Sequence, residues 1–354
     1  MIINASLSDA LHLLKQLISI PSVSGDEKQL ADFLENTLKE RKLFPLRKGN
    51  NIWLTSPDRD DSKPTILLNS HIDTVKPTAG WTKDPFLPYE EDGKIFGLGS
   101  NDAGASVVAL LQAFLVLTQT CRENNFIFLA SCEEEISGKN GVESVLPELP
   151  PIDFGVVGEP TSMQPAIAEK GLMVLDGIVY GKAGHAAREE GENAIYKALP
   201  AIKWFRKKTF PVVSPLLGPV KMTVTGVQAG TQHNVIPDEC RFMVDIRTNE
   251  FYSNKALFEA ISAACGAEVR ARSFRLNSSW IAPDHPFVKR AIQLGLTPFG
   301  SPTLSDQALM NFPSVKIGPG ESARSHTADE YVFAAEIADA ITQYVALLND
   351  LKLR

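Results

Sequence analysis

Several short apolar runs in this chain lead directly into acids or imidazoles. Residues 65–69 (TILLN) run into Ser70-His71-Ile72-Asp73, and 126–130 (FIFLA) run into Ser131-Cys132 and three consecutive glutamates, Glu133, Glu134 and Glu135. Residues 154–157 (FGVV) precede Gly158-Glu159, and 314–318 (SVKIG) come shortly before Ser325-His326. Asp102 sits in the glycine-rich GLGSNDAG. Clustered carboxylates repel, and dehydration makes their ionised forms costlier still. Each feature has an ordinary reading alone. His-x-Asp is commonly a surface pair, a run of glutamates a solvated helix face, Asp102 a turn former, and Glu159 before Pro160 the start of a loop. Together, every candidate falls at a predicted strand or turn boundary. In open α/β sheets, ligands gather beyond the carboxyl ends of strands. Two imidazoles and several carboxylates converging there form a donor set for divalent metal of the zinc type, and two dications would offset the repulsion. We therefore expect a dinuclear metal site.

The elements that must position these groups are α/β in pattern. Up to about residue 170, helices alternate with short continuous apolar strands, the mark of a sheet covered on both faces. The first residues read as an amphipathic helix. Ser24–Glu27 has capping-box spacing before Leu30, Phe33, Leu34 and Leu38, and 104–117 reads as a long apolar helix. Near residue 172 the pattern changes to β-α-β-β-α-β with alternating strands, a ferredoxin-like order. There, 193–205 reads as a helix that Pro200 kinks or divides, and EVRARSFRL reads as a strand. From about 284 the first pattern returns, with Asp284 as a helix cap before Pro286. The expected architecture is one α/β domain (1–172 and 284–354) interrupted by an inserted smaller domain (173–283).

Composition excludes several functions. The 354 residues carry a net charge of −7 and are 44% hydrophobic, so no basic footprint invites nucleic acid or an anionic membrane. No basic n-region marks a signal peptide, and no apolar run approaches the roughly 20 residues of a membrane span. Four widely spaced cysteines read as reduced thiols in the cytoplasm.

The ordered motifs NSHIDTV, GWTKDPF, GLGSNDAG, CEEEISG, GEPT and SHTADEYV resemble the metallopeptidase superfamily of acetylornithine deacetylase, succinyl-diaminopimelate desuccinylase, aminoacylase and glutamate carboxypeptidase. GEPTSMQPAIAEKG resembles the acetylornithine deacetylase branch most. The resemblance implies that 1–172 with 284–354 is a catalytic metal-binding domain with a central mixed sheet, that 173–283 is a lid or dimerisation domain, and that two divalent ions are bound, with zinc expected and cobalt or manganese sharing the ligands. His71 and Glu159 would bind one ion, Glu135 and His326 the other, and Asp102 both. Asp73 would hold the His71 imidazole, Glu134 would be the general base, and Glu133 would do no direct chemistry. From the inserted domain, His185 of a partner subunit would stabilise the oxyanion, while Asn234 and Arg247 would bind substrate; a homodimer paired through that domain follows. By residue type alone, His185 and Asn234 are ordinary loop residues and Arg247 an ordinary strand residue. Ala103-Gly104 follow Asp102 where the family often has Met-Lys, which removes a positive charge. The implied reaction is hydrolysis by water of an N-acetyl or N-succinyl amino acid, ornithine or citrulline in arginine biosynthesis. A succinyl-diaminopimelate desuccinylase, a dipeptidase or carboxypeptidase, and a non-catalytic metal-binding protein are the alternatives.

Overall fold

A computed structural model describes residues 6–188 and 190–353. The chain forms two compact units. One holds the residues up to Ile167 with Ile281–Phe299 and those from Ser305 on; the other holds Ala168–Trp280 with Gly300–Leu304.

The first unit is built on a mixed sheet. Its strands run in the order Leu46–Lys48, Asn51–Thr55, Asn125–Ser131, Thr65–His71, Phe154–Val157, Ser314–Lys316 and Ala166–Glu169. The middle strands, from Asn125–Ser131 to Ser314–Lys316, are parallel, and the flanking pairs are antiparallel. Every residue of those four parallel strands is buried. Layers on both faces explain why their sequences read as continuous apolar runs instead of alternating. Helix Ala105–Thr120 lies almost wholly inside, packed on strands Thr65–His71 and Asn125–Ser131 and on helices Leu7–Ile18 and Ala334–Leu348. Together with the helical turn before it, the segment Ser100–Thr120 has the length and apolarity of a membrane span, contrary to the sequence reading, but most of it is buried within the fold.

Three local expectations are corrected. Helix Lys28–Glu40 starts at Glu27 without a side-chain cap. Ser24 and Glu27 turn inward instead: Ser24 Oγ donates to Asp73 Oδ2 at 2.6 Å, and Glu27 Oε1 accepts from the Gly25 N–H at 2.6 Å. The cap of helix Pro286–Gln293 is His285 rather than Asp284, with Pro286 in the first turn, where its missing N–H costs nothing. Pro200 leaves helix Ala194–Lys207 undivided and lies on its exposed side.

The second unit has strands Gly171–Tyr180, Lys221–Ala229, Glu239–Thr248 and Glu268–Ala271, with helices Ala194–Lys207 and Asn254–Ser262 between them in β-α-β-β-α-β order. The last strand is shorter than EVRARSFRL suggests. The spatial order Lys221–Ala229, Glu239–Thr248, Gly171–Tyr180, Glu268–Ala271, antiparallel throughout, is ferredoxin-like. Alternation puts Phe242, Val244 and Ile246 into one core with Phe205 and Leu257 from the helices. Gly177 pairs with Phe242 across the sheet, and a Cβ there would lie 2.3 Å from the Phe242 ring. Only glycine leaves room for that ring.

Candidate active site

Strand register does the first assembly. His71 pairs with Ser131, and Asn69 pairs with Val157, so His71, the segment after Ser131 and Glu159 emerge at one level of the parallel sheet. Asp102 reaches the same place from the turn Ser100–Gly104, ahead of the buried helix, and His326 from the loop before strand Tyr331–Phe333.

The resulting geometry centres on one carboxylate. Asp102 Oδ1 lies 3.2 Å from His71 Nε2, and Oδ2 of the same group lies 3.6 Å from His326 Nε2. Glu159 Oε1 is 3.7 Å from His71 Nε2, and Glu135 Oε2 is 3.0 Å from His326 Nε2. His71 Nδ1 lies 2.9 Å from the backbone carbonyl of Asp73. A carbonyl can only accept, so Nδ1 carries a proton, which leaves Nε2, the nitrogen facing Asp102, as the one that could ligate a cation. The Asp73 carboxylate sits 3.5 Å from Nδ1 and does something else as well: it accepts the N–H of Glu134 at 3.0 Å and of Glu135 at 3.1 Å, besides the Ser24 hydroxyl. One acid thus fixes both the imidazole and the backbone of two glutamates.

The three glutamates diverge. Glu133, at φ +55°, turns its carboxylate onto Asn140 (2.8 and 3.1 Å) and stays out of the cluster, while Glu134 and Glu135 enter it. His71, Glu134 and Glu159 offer ligand atoms within 4.8 Å of one another, and so do His71, Asp102 and Glu135. Glu159 Oε1 is buried with no hydrogen-bond partner. Imidazole and carboxylate donors at this spacing, one of them orphaned, fit divalent cations. The His71 side chain is 1% exposed and that of His326 53%, so the cluster meets water on the His326 side.

Without cations the charges are in conflict. Burial pushes Glu134 well above the usual carboxylate range, with Glu159, Asp306 and Glu135 adding repulsion against the attraction of His71. Glu159 is pushed up to about 8 by burial and then by Asp102. Burial opposes a charged His71, but its hydrogen bonds to Asp102 and Asp73 raise it well above its ordinary value. His326 rises to about 9 through its hydrogen bond to Glu135, against partial burial. Burial would raise Asp102, yet the His71 hydrogen bond and charge lower it.

The remaining sequence candidates lie in the second unit. His185, exposed, pairs with Val235 in a two-stranded ribbon, and Asn234, also exposed, accepts the Ala186 N–H at 2.9 Å through its carbonyl. The structure therefore makes His185 and Asn234 neighbours. Arg247 is on strand Glu239–Thr248, half-buried, its guanidinium paired with Asp245 at 2.9 Å.

Two buried acids escaped the sequence reading. Asp306, 4% exposed, accepts Asn69 Nδ2 at 2.9 Å and Ser131 Oγ at 2.7 Å, joining the ends of two parallel strands beneath the cluster. Glu330, 2% exposed, binds the backbone at Asn101 and Asp102. Asp306 follows no apolar strand, and Glu330 lay in plain view inside SHTADEYV. The Ala103-Gly104 departure now has a packing reason, since a Cβ at Gly104 would sit 2.5 Å from the Gly99 carbonyl oxygen and 2.8 Å from Leu14.

A mixed α/β sheet that gathers two imidazoles and four carboxylates beyond its parallel strands defines a metal-dependent hydrolase. The sequence profile of peptidase family M20/M25/M40 matches residues 67–350, and the chain belongs to that family. It is 28% identical over 368 residues to the succinyl-diaminopimelate desuccinylase of Corynebacterium glutamicum, covering 96% of this chain and 97% of that one. The aminopeptidase PepT of Bacillus cereus shares the fold with a TM-score of 0.79 at 20% identity, over 98% of this chain and 99% of that one. The YXEP protein of Bacillus subtilis, described as a dinuclear metal binding peptidase from the M20 family, superposes with a TM-score of 0.72 at 19% identity, over 97% of both chains.

Proposed function

We propose that this enzyme removes a succinyl group from the amino group of a small amino acid, using two divalent ions, with zinc the expected metal. The observation that carries the two-ion reading is the Asp102 carboxylate, which turns one oxygen toward His71 and the other toward His326. Asp102 would bridge, His71 and Glu159 would complete one site, and Glu135 and His326 the other. When bound, the ions supply a water of lowered pKa and positive charge for the acyl oxygen. Glu134 would take a proton from the water as its oxygen adds to the acyl carbon and would give it to the amine nitrogen as the C–N bond breaks, and the Asp73 carboxylate holds the Glu134 backbone in place for both transfers. His185 donates a hydrogen bond to the oxyanion, and Asn234 and Arg247 hold the substrate's polar and carboxylate groups.

Curated relatives of nearly full length from Corynebacterium glutamicum and Delftia acidovorans are both succinyl-diaminopimelate desuccinylases, at 28% and 25% identity. They favour succinyl over the acetyl group that GEPTSMQPAIAEKG pointed to. Identity of this order supports the reaction more than the amino-acid side chain, so diaminopimelate leads and ornithine and citrulline remain in the test. With zinc-reconstituted protein, N-succinyl substrates are expected to be hydrolysed at least about tenfold faster, in kcat/KM, than their N-acetyl counterparts, a difference of about 1.4 kcal/mol in transition-state binding. Assaying both acyl forms of diaminopimelate, ornithine and citrulline beside dipeptides decides this. Activity confined to peptides sinks the deacylase reading.

The homodimer remains part of the proposal. Strand Lys221–Ala229 lies at the edge of the second unit's sheet, with a nine-residue margin suited to pairing with a second copy. Sedimentation is expected to give a dimer, and a fully active monomer refutes both the pairing and a His185 acting in trans. Four free cysteines suit the reducing cytoplasm.

A further inference from the structure

The Asp102 turn and the His326 loop are far apart in sequence, and neither ligand is part of a strand. His326 itself is exposed and has φ +60°. What fixes these two ligands relative to each other is a set of buried polar contacts on either side of His326.

On the far side, Glu330 Oε1 accepts the N–H of Asn101 at 2.8 Å and of Asp102 at 3.0 Å, while the Glu330 carbonyl accepts the Gly97 N–H at 3.0 Å. On the near side, Asn101, fully buried, donates from Nδ2 to the Glu321 carbonyl and to Ser325 Oγ, both at 3.1 Å, and accepts the Glu321 N–H at 3.1 Å. The fit is close, since a Cβ on Gly320 would lie 2.2 Å from Asn101 Oδ1. The segment 321–330 is therefore buckled to the turn at both ends, with His326 between. A buried carboxylate is a costly way to join two loops, because its desolvation must be offset by the N–H groups it accepts. Aligning the backbone of a shared metal ligand gives that cost a purpose.

We propose that Glu330, with Asn101, is a positioning residue that ties the His326 loop to the Asp102 turn and so sets the affinity of the ion bound by Asp102, Glu135 and His326. The proposal rests on the two-ion reading above. Groups that orient metal ligands from outside typically carry about tenfold to hundredfold in metal affinity.

The test is calorimetric titration of chelator-stripped protein with zinc. Glu330→Ala is expected to weaken the second binding event by about tenfold to hundredfold and to leave the first at its wild-type value. Glu330→Gln, which keeps an acceptor oxygen at the Oε1 position, is expected to restore the second event. Should Glu330→Ala fail to fold, Asn101→Ala is titrated instead and judged by the same criteria. Wild-type affinity for both ions in Glu330→Ala, or an equal loss of both, overturns the proposal. Wild-type protein that takes up fewer than two ions overturns the two-ion reading and the proposal with it, and that result is read on wild type alone.

Discussion

Glu134→Gln is expected to bind both ions and to lose roughly three or more decades of kcat. General acid–base catalysis alone contributes about two to four decades, and here the same group also generates the nucleophile. The substitution preserves size and an acceptor oxygen, so the packing around the half-buried side chain survives. It removes the one property the reaction needs, the ability to take a proton and return it. Burial and the neighbouring carboxylates already favour the protonated form of Glu134, which is the environment of a proton acceptor. Its backbone N–H is tied to Asp73 independently of the side chain, so the glutamine should occupy the same place. Single-turnover kinetics with metal analysis on the same sample checks this. A variant that keeps both ions and most of its turnover removes Glu134 from the role of base.

Stripping the ions is expected to make the protein less stable as pH rises from about 5 to 9. An unfolded glutamate releases its proton near 4.5, whereas Glu159 and Glu330 hold theirs to about 8, both because of burial first and the Asp102 charge second. Between those values the folded state carries more protons than the unfolded one, so stability falls with rising pH. His326 acts in the same direction: raised to about 9 by Glu135, its contribution is complete below 6.5 and is lost as pH climbs through 9. Asp73 and Asp102, both lowered, contribute stability that disappears only in acid, outside this window. Bound cations displace the extra protons and neutralise the acids, so the stabilisation by zinc grows toward pH 8. At a thousandfold excess over Kd it reaches about 4 kcal/mol. Melting curves of stripped and zinc-loaded protein across this range are the measurement. A stripped protein whose Tm is flat or rises with pH contradicts the charge balance described here.

Much of the candidate cluster was legible because its residues stand where strands end. His71, Glu134, Glu135 and Glu159 each follow a run that could be recognised as buried from its own apolar continuity. Supporting residues lacked such a marker. Ser24 and Glu27 match a helix cap by spacing, yet Ser24 serves Asp73, and Glu27 receives the Gly25 and Glu133 N–H groups. Local pattern could not separate the two uses, since a hydroxyl and a carboxylate three apart satisfy either. Asp284 lost its role to His285 for the same reason: adjacent residues can both cap, and only packing chooses. Glu133 shows the limit within one tripeptide, as three identical side chains in a row take different directions once the backbone at Glu133 turns to positive φ.

By itself, the sequence determined which chemistry was possible and which strands had to be buried, because residue type and apolar periodicity are local properties. It also determined the order of the elements and, through the alternating strands after residue 172, the separate character of the second unit. Tertiary structure alone decided that one aspartate stands between two imidazoles, that Asp73 holds two glutamate N–H groups, and that Asp306 and Glu330 are buried beside that cluster. Those relations depend on strand register and on contacts between loops more than 200 positions apart, such as Asn101 with Glu321. Distances of a few ångströms across such separations are set by the packing of the whole unit, and no short stretch of the chain encodes them.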